Sequence, residues 1–309
     1  YYLLPLFVFF LTISFSQKKK NASEELKSSD LTGLKFRSVG PAFMSGRIAD
    51  IAINPNNENE WYVAVGSGGV WKTVNSGTTW NPIADDQPFY STGCITIDPH
   101  NSSKIWLGTG ENVGGRHVGI GHGIYVSENG GKNWKSMGLK NSEHISKIIV
   151  SPQDPNTVFV ASQGPLWSPG GERGLYRTDN GGKTWKNVLS VNKWTGVTDI
   201  AIDHNNPNIL YAATWQRHRT VAALMGGGPE SGLHRSEDGG ETWTELKSGL
   251  PNYAGKIGFT LSPQKPDVLY ASIELEKRNG AVYKSEDRGS SWKKMSDLSL
   301  GYGTGPHYY

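Results

Sequence analysis

A single cysteine, Cys94, occurs in 309 residues, so no disulfide can form within the sequence and its stability has to come from packed apolar surface. Charge of one sign is equally scarce. The 31 basic and 28 acidic residues leave a net charge of +3 and are interspersed along the chain, which gives none of the basic stripe a nucleic-acid binder uses to displace counterions. No apolar run reaches the roughly 20 residues that a helix needs to cross hydrocarbon. The longest, residues 1–16 (YYLLPLFVFFLTISFS), ends in small polar residues and is followed by Gln17-Lys18-Lys19-Lys20, the pattern of the apolar region of a secretory signal peptide. Neither a methionine nor a basic segment precedes it, so upstream sequence is expected. The sequence therefore divides into a partial signal peptide (1–16), a linker (17–33) and a main body (34–309), and the expected location is secreted, periplasmic or cell envelope, with no membrane span beyond the signal.

What the sequence has in abundance is glycine (39) and tryptophan (11), which suits many short strands joined by tight turns. Five eight-residue windows share the pattern Ser/Thr, any, Asn/Asp, any, Gly, any, Thr/Ser/Asn, Trp: 73–80 (TVNSGTTW), 127–134 (SENGGKNW), 178–185 (TDNGGKTW), 236–243 (SEDGGETW) and 285–292 (SEDRGSSW). Their tryptophans, Trp80, Trp134, Trp185, Trp243 and Trp292, recur at the period expected of four-stranded propeller blades, about 50 residues. Each window follows an alternating strand closed by a Pro or Asn turn, an aromatic-rich strand and a third strand with an aromatic. In the first repeat these are 48–53, 61–65 and 70–73.

The fold expected is thus all-β: a β-propeller of four-stranded antiparallel blades, five of them complete, with residues 295–309 opening a sixth and closing blades expected downstream. Within each window, the Asn or Asp (Asn75, Asn129, Asn180, Asp238, Asp287) can accept hydrogen bonds from amides of its own turn. Gly at the fifth position permits positive φ, and the Trp is expected to bury its ring beside the next blade. Recurrence in every blade marks these ten residues as structural.

These windows, with Gly46-Arg47-Ile48-Ala49-Asp50-Ile51, Gly68-Gly69-Val70-Trp71-Lys72 and Gly108-Thr109-Gly110-Glu111, resemble the Asp-box (BNR repeat) propeller superfamily, and within it the large exported bacterial proteins with a sortilin-like N-terminal domain, often labelled glycosyl hydrolases. The resemblance runs from about Leu34 to the end of the sequence. It implies a fold more sharply than an activity, because relatives include sialidases, xyloglucan-cleaving enzymes, peptide-binding sortilins and an assembly factor. A sialidase-like site implies three arginines. Arg47, Arg116 and Arg217 are available, yet the opening signature is reduced to Phe36-Arg37-Ser38-Val39, without its Ile-Pro. A xyloglucanase-like site implies an Asp just before the Gly-Gly and aromatic of the first blade. The matching stretch, Val65-Gly66-Ser67-Gly68-Gly69-Val70-Trp71, has no carboxylate, although both standard glycosidase mechanisms need a pair.

A site is expected on the face carrying the loops into each inner strand and the longer loops between second and third strands, opposite the Asp-box turns. Glu111, Arg116, His117 and His122 share one Gly-rich insertion. The run Trp215-Gln216-Arg217-His218-Arg219 is basic and aromatic, and Trp167 projects from the preceding blade's loop. Candidate ligand contacts are therefore Arg47, Arg116, His117, Trp167, Trp215 and Arg217. Glu111 and Glu274 are the candidate catalytic carboxylates, weighed against an ordinary solvated loop. No metal is assigned, since His117 and His122 lack an obvious third ligand, and no helix follows the glycines to make a nucleotide cradle; no cofactor is expected. Three functional readings stand: an exported module recognising a polypeptide or glycan, a xyloglucanase-like glycoside hydrolase, and an assembly factor or cell-envelope scaffold that engages partner proteins through blade edges.

Overall fold

Each of the five repeats folds into its own four-stranded antiparallel sheet in the computed structural model, because a short strand-turn-strand run with alternating apolar residues pairs most readily with its sequence neighbour. The structure describes residues 27, 32–33 and 47–299, apart from 114, 116, 277 and 278. The chain divides into Tyr1–Met44, of which only residues 27, 32 and 33 are described, and Ser45–Tyr309. The signal-peptide and linker expectations, Phe36-Arg37-Ser38-Val39, Arg116 and residues 300–309 lie outside the described residues.

The first sheet comprises β1 (Ile48–Ile53), β2 (Trp61–Val65), β3 (Gly69–Thr73) and β4 (Asn81–Pro82); the second β5 (Thr92–Asp98), β6 (Asn101–Thr109), β7 (Ile124–Ser127) and β8 (Lys135–Ser136). In the third are β9 (Ile145–Val150), β10 (Val158–Ser162), β11 (Gly174–Thr178) and β12 (Lys186–Leu189). The fourth holds β13 (Thr195–Ile202) and β14 (Leu210–Gln216), then, after a small hairpin of β15 (His218–Arg219) and β16 (Leu224–Met225), β17 (Gly232–Ser236) and β18 (Thr244–Leu246). The fifth is β19 (Ile257–Leu261), β20 (Leu269–Leu275), β21 (Asn279–Ser285) and β22 (Lys293–Ser299). Residues 295–299, expected to open a sixth unit, instead complete the fifth sheet, in register from Lys284↔Lys293 to Asn279↔Ser299. No helix long and apolar enough to cross a membrane occurs among the described residues.

Local chemistry repeats with the sheets. The first strand of each ends in a side-chain-capped turn: Asn54, Asp98 and Asp203 accept the amides of Asn56, His100 and Asn205, each at 2.9 Å. Ser151 and Ser262 do the same for Gln153 and Lys265. Within the eight-residue windows the Asn or Asp accepts the amide of the seventh position, as Asn129 does from Asn133 at 2.9 Å. The buried first-position hydroxyl takes the amides of positions three and five, as Ser127 does from Asn129 at 3.3 Å and Gly131 at 2.8 Å. The window is thus a two-acceptor staple.

The tryptophans pack on the preceding sheet rather than the next. Trp134 donates to Ile83 O and meets Phe89 edge-on at 5.8 Å. Trp185 donates to Met137 O at 2.7 Å and meets Trp106 at 6.4 Å. Trp243 joins the cluster around Phe159, and Trp292 that around Tyr211 and Leu246. The reason is steric. The fifth-position glycine presses against the preceding sheet, so that a Cβ on Gly182 would lie 3.1 Å from the Trp106 ring and one on Gly240 3.0 Å from Phe159. That contact aims the hairpin backward along the chain. Trp80 has no preceding sheet among the described residues. It stands 36% exposed over Trp61, in an apolar groove with Ile48, Ile51, Val63 and Trp71.

First strands of consecutive sheets are laced together by side chains. Asp50 accepts the Ile95 amide (3.0 Å), Thr96 donates to Ile148 O (2.8 Å), Ser146 to Val197 O (3.2 Å), and Asp199 accepts the Phe259 amide (3.4 Å). These contacts occupy edge groups that would otherwise pair with a foreign strand. The first strands of the second to fifth sheets also line a groove of about 630 Å³, with Lys147, Asp199 and Phe259 in its wall. Burial pushes the Asp199 carboxyl up, opposed by the cation of Lys147.

Candidate functional site

The loops leading into first strands and the loops between second and third strands share one face, because each sheet ties one to the other. Gly66 N bonds Arg47 O (2.8 Å), Gly110 N bonds Ser91 O (2.9 Å), Gln163 N bonds His144 O (2.9 Å) and Arg217 N bonds Trp194 O (3.1 Å). On this face the Gly-rich insertion after β6 is held from three other sheets. Lys256 Nζ donates to Asn112 O at 2.8 Å, Gln163 Nε2 to the same oxygen at 3.2 Å, and Arg217 Nη1 to Val113 O at 3.0 Å. Arg217 also gives Nη2 to Gly164 O at 3.1 Å. The insertion is therefore a strap bound to the third, fourth and fifth sheets.

Beneath the strap lies a desolvated polar layer. Burial pulls the Arg217 guanidinium down to about 9, helped by the neighbouring charge of Arg173, and pulls Arg173 itself down to about 10. Lys256 falls to about 8 through burial and then the charge of Arg217. His144, wholly buried, is held well below the ordinary imidazole range by desolvation and then by Arg217. Arg173 organises the loop after β10, donating to Gln163 O (2.7 Å), Gly170 O (3.2 Å), Ser168 O (3.3 Å) and Trp194 O (3.3 Å).

The residues expected as site groups separate into three sets. Trp215 and Arg217, expected to stack on and clasp a ligand, are buried at 6% and 1% exposure. Trp215 Nε1 bonds Gly226 O (2.9 Å), while Arg217 and Lys256 lie over its ring at 5.2 and 5.7 Å. Both build the face rather than line it. Glu111 is buried and ion-paired with Arg47, and it also accepts Ser67 Oγ (3.1 Å) and Gly119 N (3.2 Å). Its carboxylate occupies a notch that Gly66 leaves open, where a Cβ would sit 2.5 Å from Oε1. Glu274 sits in a similar notch against Gly255 and accepts the Lys256 amide at 3.1 Å. Trp167 and His117 are exposed. Among the described residues no group of three or more His, Cys, Asp or Glu is gathered as a metal site.

Aromatic rings other than Trp167 also reach this face. Trp194 packs against His218 with centroids 4.1 Å apart and planes tilted by 52°, and Tyr253, 42% exposed, donates to Gly227 O at 3.1 Å. Neither Trp194 nor Tyr253 was among the ligand contacts expected from the sequence. An aromatic directly before the Thr-Gly or Ala-Gly that starts an inner strand was the available signal.

The fold described so far defines a class, all-β chains of propeller-like four-stranded antiparallel sheets. The chain is similar to a xyloglucanase of Hypocrea jecorina, 27% identical over 258 residues (72% of this chain, 28% of the relative), and to one of a Paenibacillus species, 25% identical over 291 residues (81% and 27%). It is also similar to sortilin of Danio rerio, 23% identical over 313 residues (98% and 33%). Among solved structures, a xyloglucanase of glycoside hydrolase family GH74 from Xanthomonas campestris superposes with a TM-score of 0.62 at 17% identity (81% of this chain, 38% of that one). YCF48 bound to D1 peptide gives 0.53 at 16% identity (84% and 69%). No protein-family model matches the sequence. The chain spans about a quarter to a third of the length of these sequence relatives, and the structural likenesses carry the fold alone.

Proposed function

We propose that this chain is the polysaccharide-engaging part of an exported β-propeller protein, and that a neutral glycan of the xyloglucan kind lies across its loop face. The observation that carries the reading is the set of aromatic rings left on that face, Trp167 at 41% and Tyr253 at 42% exposure with Trp194 between them in the chain. Sugar rings stack on such surfaces through their C–H faces, and a site of that kind belongs on loops held by a rigid scaffold. The xyloglucanase relatives support the ligand class; sortilin supports the competing polypeptide ligand. Titration calorimetry with xyloglucan oligosaccharides and with a panel of extended peptides tests it. Saturable glycan binding is expected, and peptide binding without glycan binding would replace the reading.

A glycoside hydrolase is the second reading, favoured by one specific contact. The stretch Val65-Gly66-Ser67-Gly68-Gly69-Val70-Trp71 lacks its own carboxylate, yet the Glu111 carboxylate lies against Gly66 and bonds Ser67. A carboxylate from the second sheet thus stands at the segment where the resemblance leads one to expect an Asp. Release of reducing ends from xyloglucan, abolished by Glu111→Gln with glycan binding retained, is the outcome this reading requires.

A further inference from the structure

Glycan engagement on the loop face leaves open where a sugar ring sits, and the hairpin of β15 and β16 narrows it. Register sets His218 opposite Met225 and Arg219 opposite Leu224, and directly paired residues project to the same side of a two-stranded ribbon. His218 is the residue that packs against Trp194, the ring centroids 4.1 Å apart and the planes tilted by 52°, so Met225 extends the same surface. Arg219 N bonds Leu166 O at 3.0 Å, which brings Trp167, the next residue, alongside the hairpin. Arg173 clamps the two loops by donating to both Ser168 O and Trp194 O, and Gly170 N bonds Lys193 O at 2.8 Å.

We infer that Trp167, Trp194, His218 and Met225 form one subsite that takes a single uncharged pyranose ring by its C–H face; the inference rests on the glycan reading above. Trp167 and Met225 are 41% exposed each, a solvent-facing pair of an indole and a soft thioether, which adapts to an irregular apolar outline. The base is stiff. Trp215 Nε1 bonds Gly226 O, Gly228 N bonds Ala254 O (3.0 Å), and Tyr253 Oη bonds Gly227 O. A preorganised platform loses little ordering entropy on binding. The ligand class follows from which charges reach the surface. The guanidiniums of Arg217 and Arg219 are buried at 1% and 3% exposure, and Arg217 gives both Nη groups to carbonyls, so neither offers the planar fork that grips a carboxylate. Among the described residues, the cation that stands exposed beside the rings is the ammonium of Lys193, 6.0 Å from the Trp194 centroid.

Calorimetric titration of the full chain with neutral xyloglucan oligosaccharides and with oligouronates, repeated on Trp167→Ala, Met225→Ala and Tyr90→Ala, tests the assignment. The expected result is a loss of affinity of about tenfold for Trp167→Ala, about threefold or more for Met225→Ala and none for Tyr90→Ala, with neutral oligosaccharides preferred. Trp167 and Met225 are surface residues, and unchanged far-ultraviolet circular dichroism will confirm that each variant folds. Wild-type affinity in both variants, with glycan still bound, would move the subsite elsewhere and leave the glycan reading intact. Tighter oligouronate binding would overturn the uncharged ring. Absence of any glycan binding by the wild-type chain would remove the subsite and the broader reading together.

Discussion

Replacing the last tryptophan of the motif with alanine has a calculable cost, and the first tryptophan supplies an internal control. Trp292 is 6% exposed and packed among Tyr211, Leu246 and Leu269. A buried indole withdraws up to roughly 250 Å² from water, worth about 25 cal/mol per Å², and measured Trp→Ala losses in cores are about 3–5 kcal/mol once the cavity is included. Trp292→Ala should therefore cost about 4 kcal/mol. Trp80 holds the same motif position but is 36% exposed, and its aromatic partner is Trp61 of its own sheet, edge-on at 6.4 Å. The space it would leave opens to solvent, so no enclosed cavity forms, and Trp80→Ala in this chain should cost about 2 kcal/mol or less. Urea unfolding followed by circular dichroism and by tryptophan fluorescence reads both, the two probes guarding against independent loss of one sheet. Equal costs for the two substitutions would mean that the tryptophan acts inside its own hairpin, and the sheet-to-sheet argument would fail.

Acid should weaken the fold through His144. Its folded pKa lies well below 6.5, so only the unfolded chain takes the proton as pH falls through 6.5, and stability is lost on the acid side. At pH 5.5 the loss from this one residue is about 1.4 kcal/mol; urea midpoints at pH 7.5 and 5.5 should converge in His144→Gln relative to the parent. Asp238 accepts the amides of Glu241 and Thr242 and the hydroxyls of Ser236 and Thr242. Asp238→Asn should therefore lower the melting temperature less than Asp238→Ala, and a reversed order would discard the staple. Arg217→Ala strands the carbonyls of Val113 and Gly164 and empties the volume of a buried side chain, with an expected loss of about 3 kcal/mol. Hydrogen exchange should rise in the strap as well as at the substituted loop, and exchange confined to the fourth sheet would contradict the strap's attachment.

Periodic chemistry was readable before any coordinates, because each sheet repeats a short-range code: a capped turn, alternating apolar residues, and the Ser/Thr-x-Asn/Asp-x-Gly hairpin. The direction in which Trp134 and Trp185 pack was not, since one window cannot say which neighbour its glycine presses against. Residues 295–299 carry no window of their own, which made them look like the start of a new unit when they are the outer strand of the last one. The contacts of Arg217 and Lys256 span 104 and 144 residues to Val113 and Asn112. They leave no periodic trace, so a basic and aromatic run was read as a ligand surface. The lacing by Asp50 and Asp199 was nearer to hand, as an acid in mid-strand needs an amide to accept from.

The strap changes how the molecule should come apart. Five sheets that touch only their chain neighbours would behave as a row of dominoes, each loosening at little cost to those two places away. Lys256, Arg217 and Gln163 bind the second sheet's insertion directly from the fifth, fourth and third, so opening any one of these sheets also releases a fastening on the second. All five repeats are thereby coupled into a single melting unit, since Arg47 and Ser67 hold the first sheet to Glu111 of the same insertion.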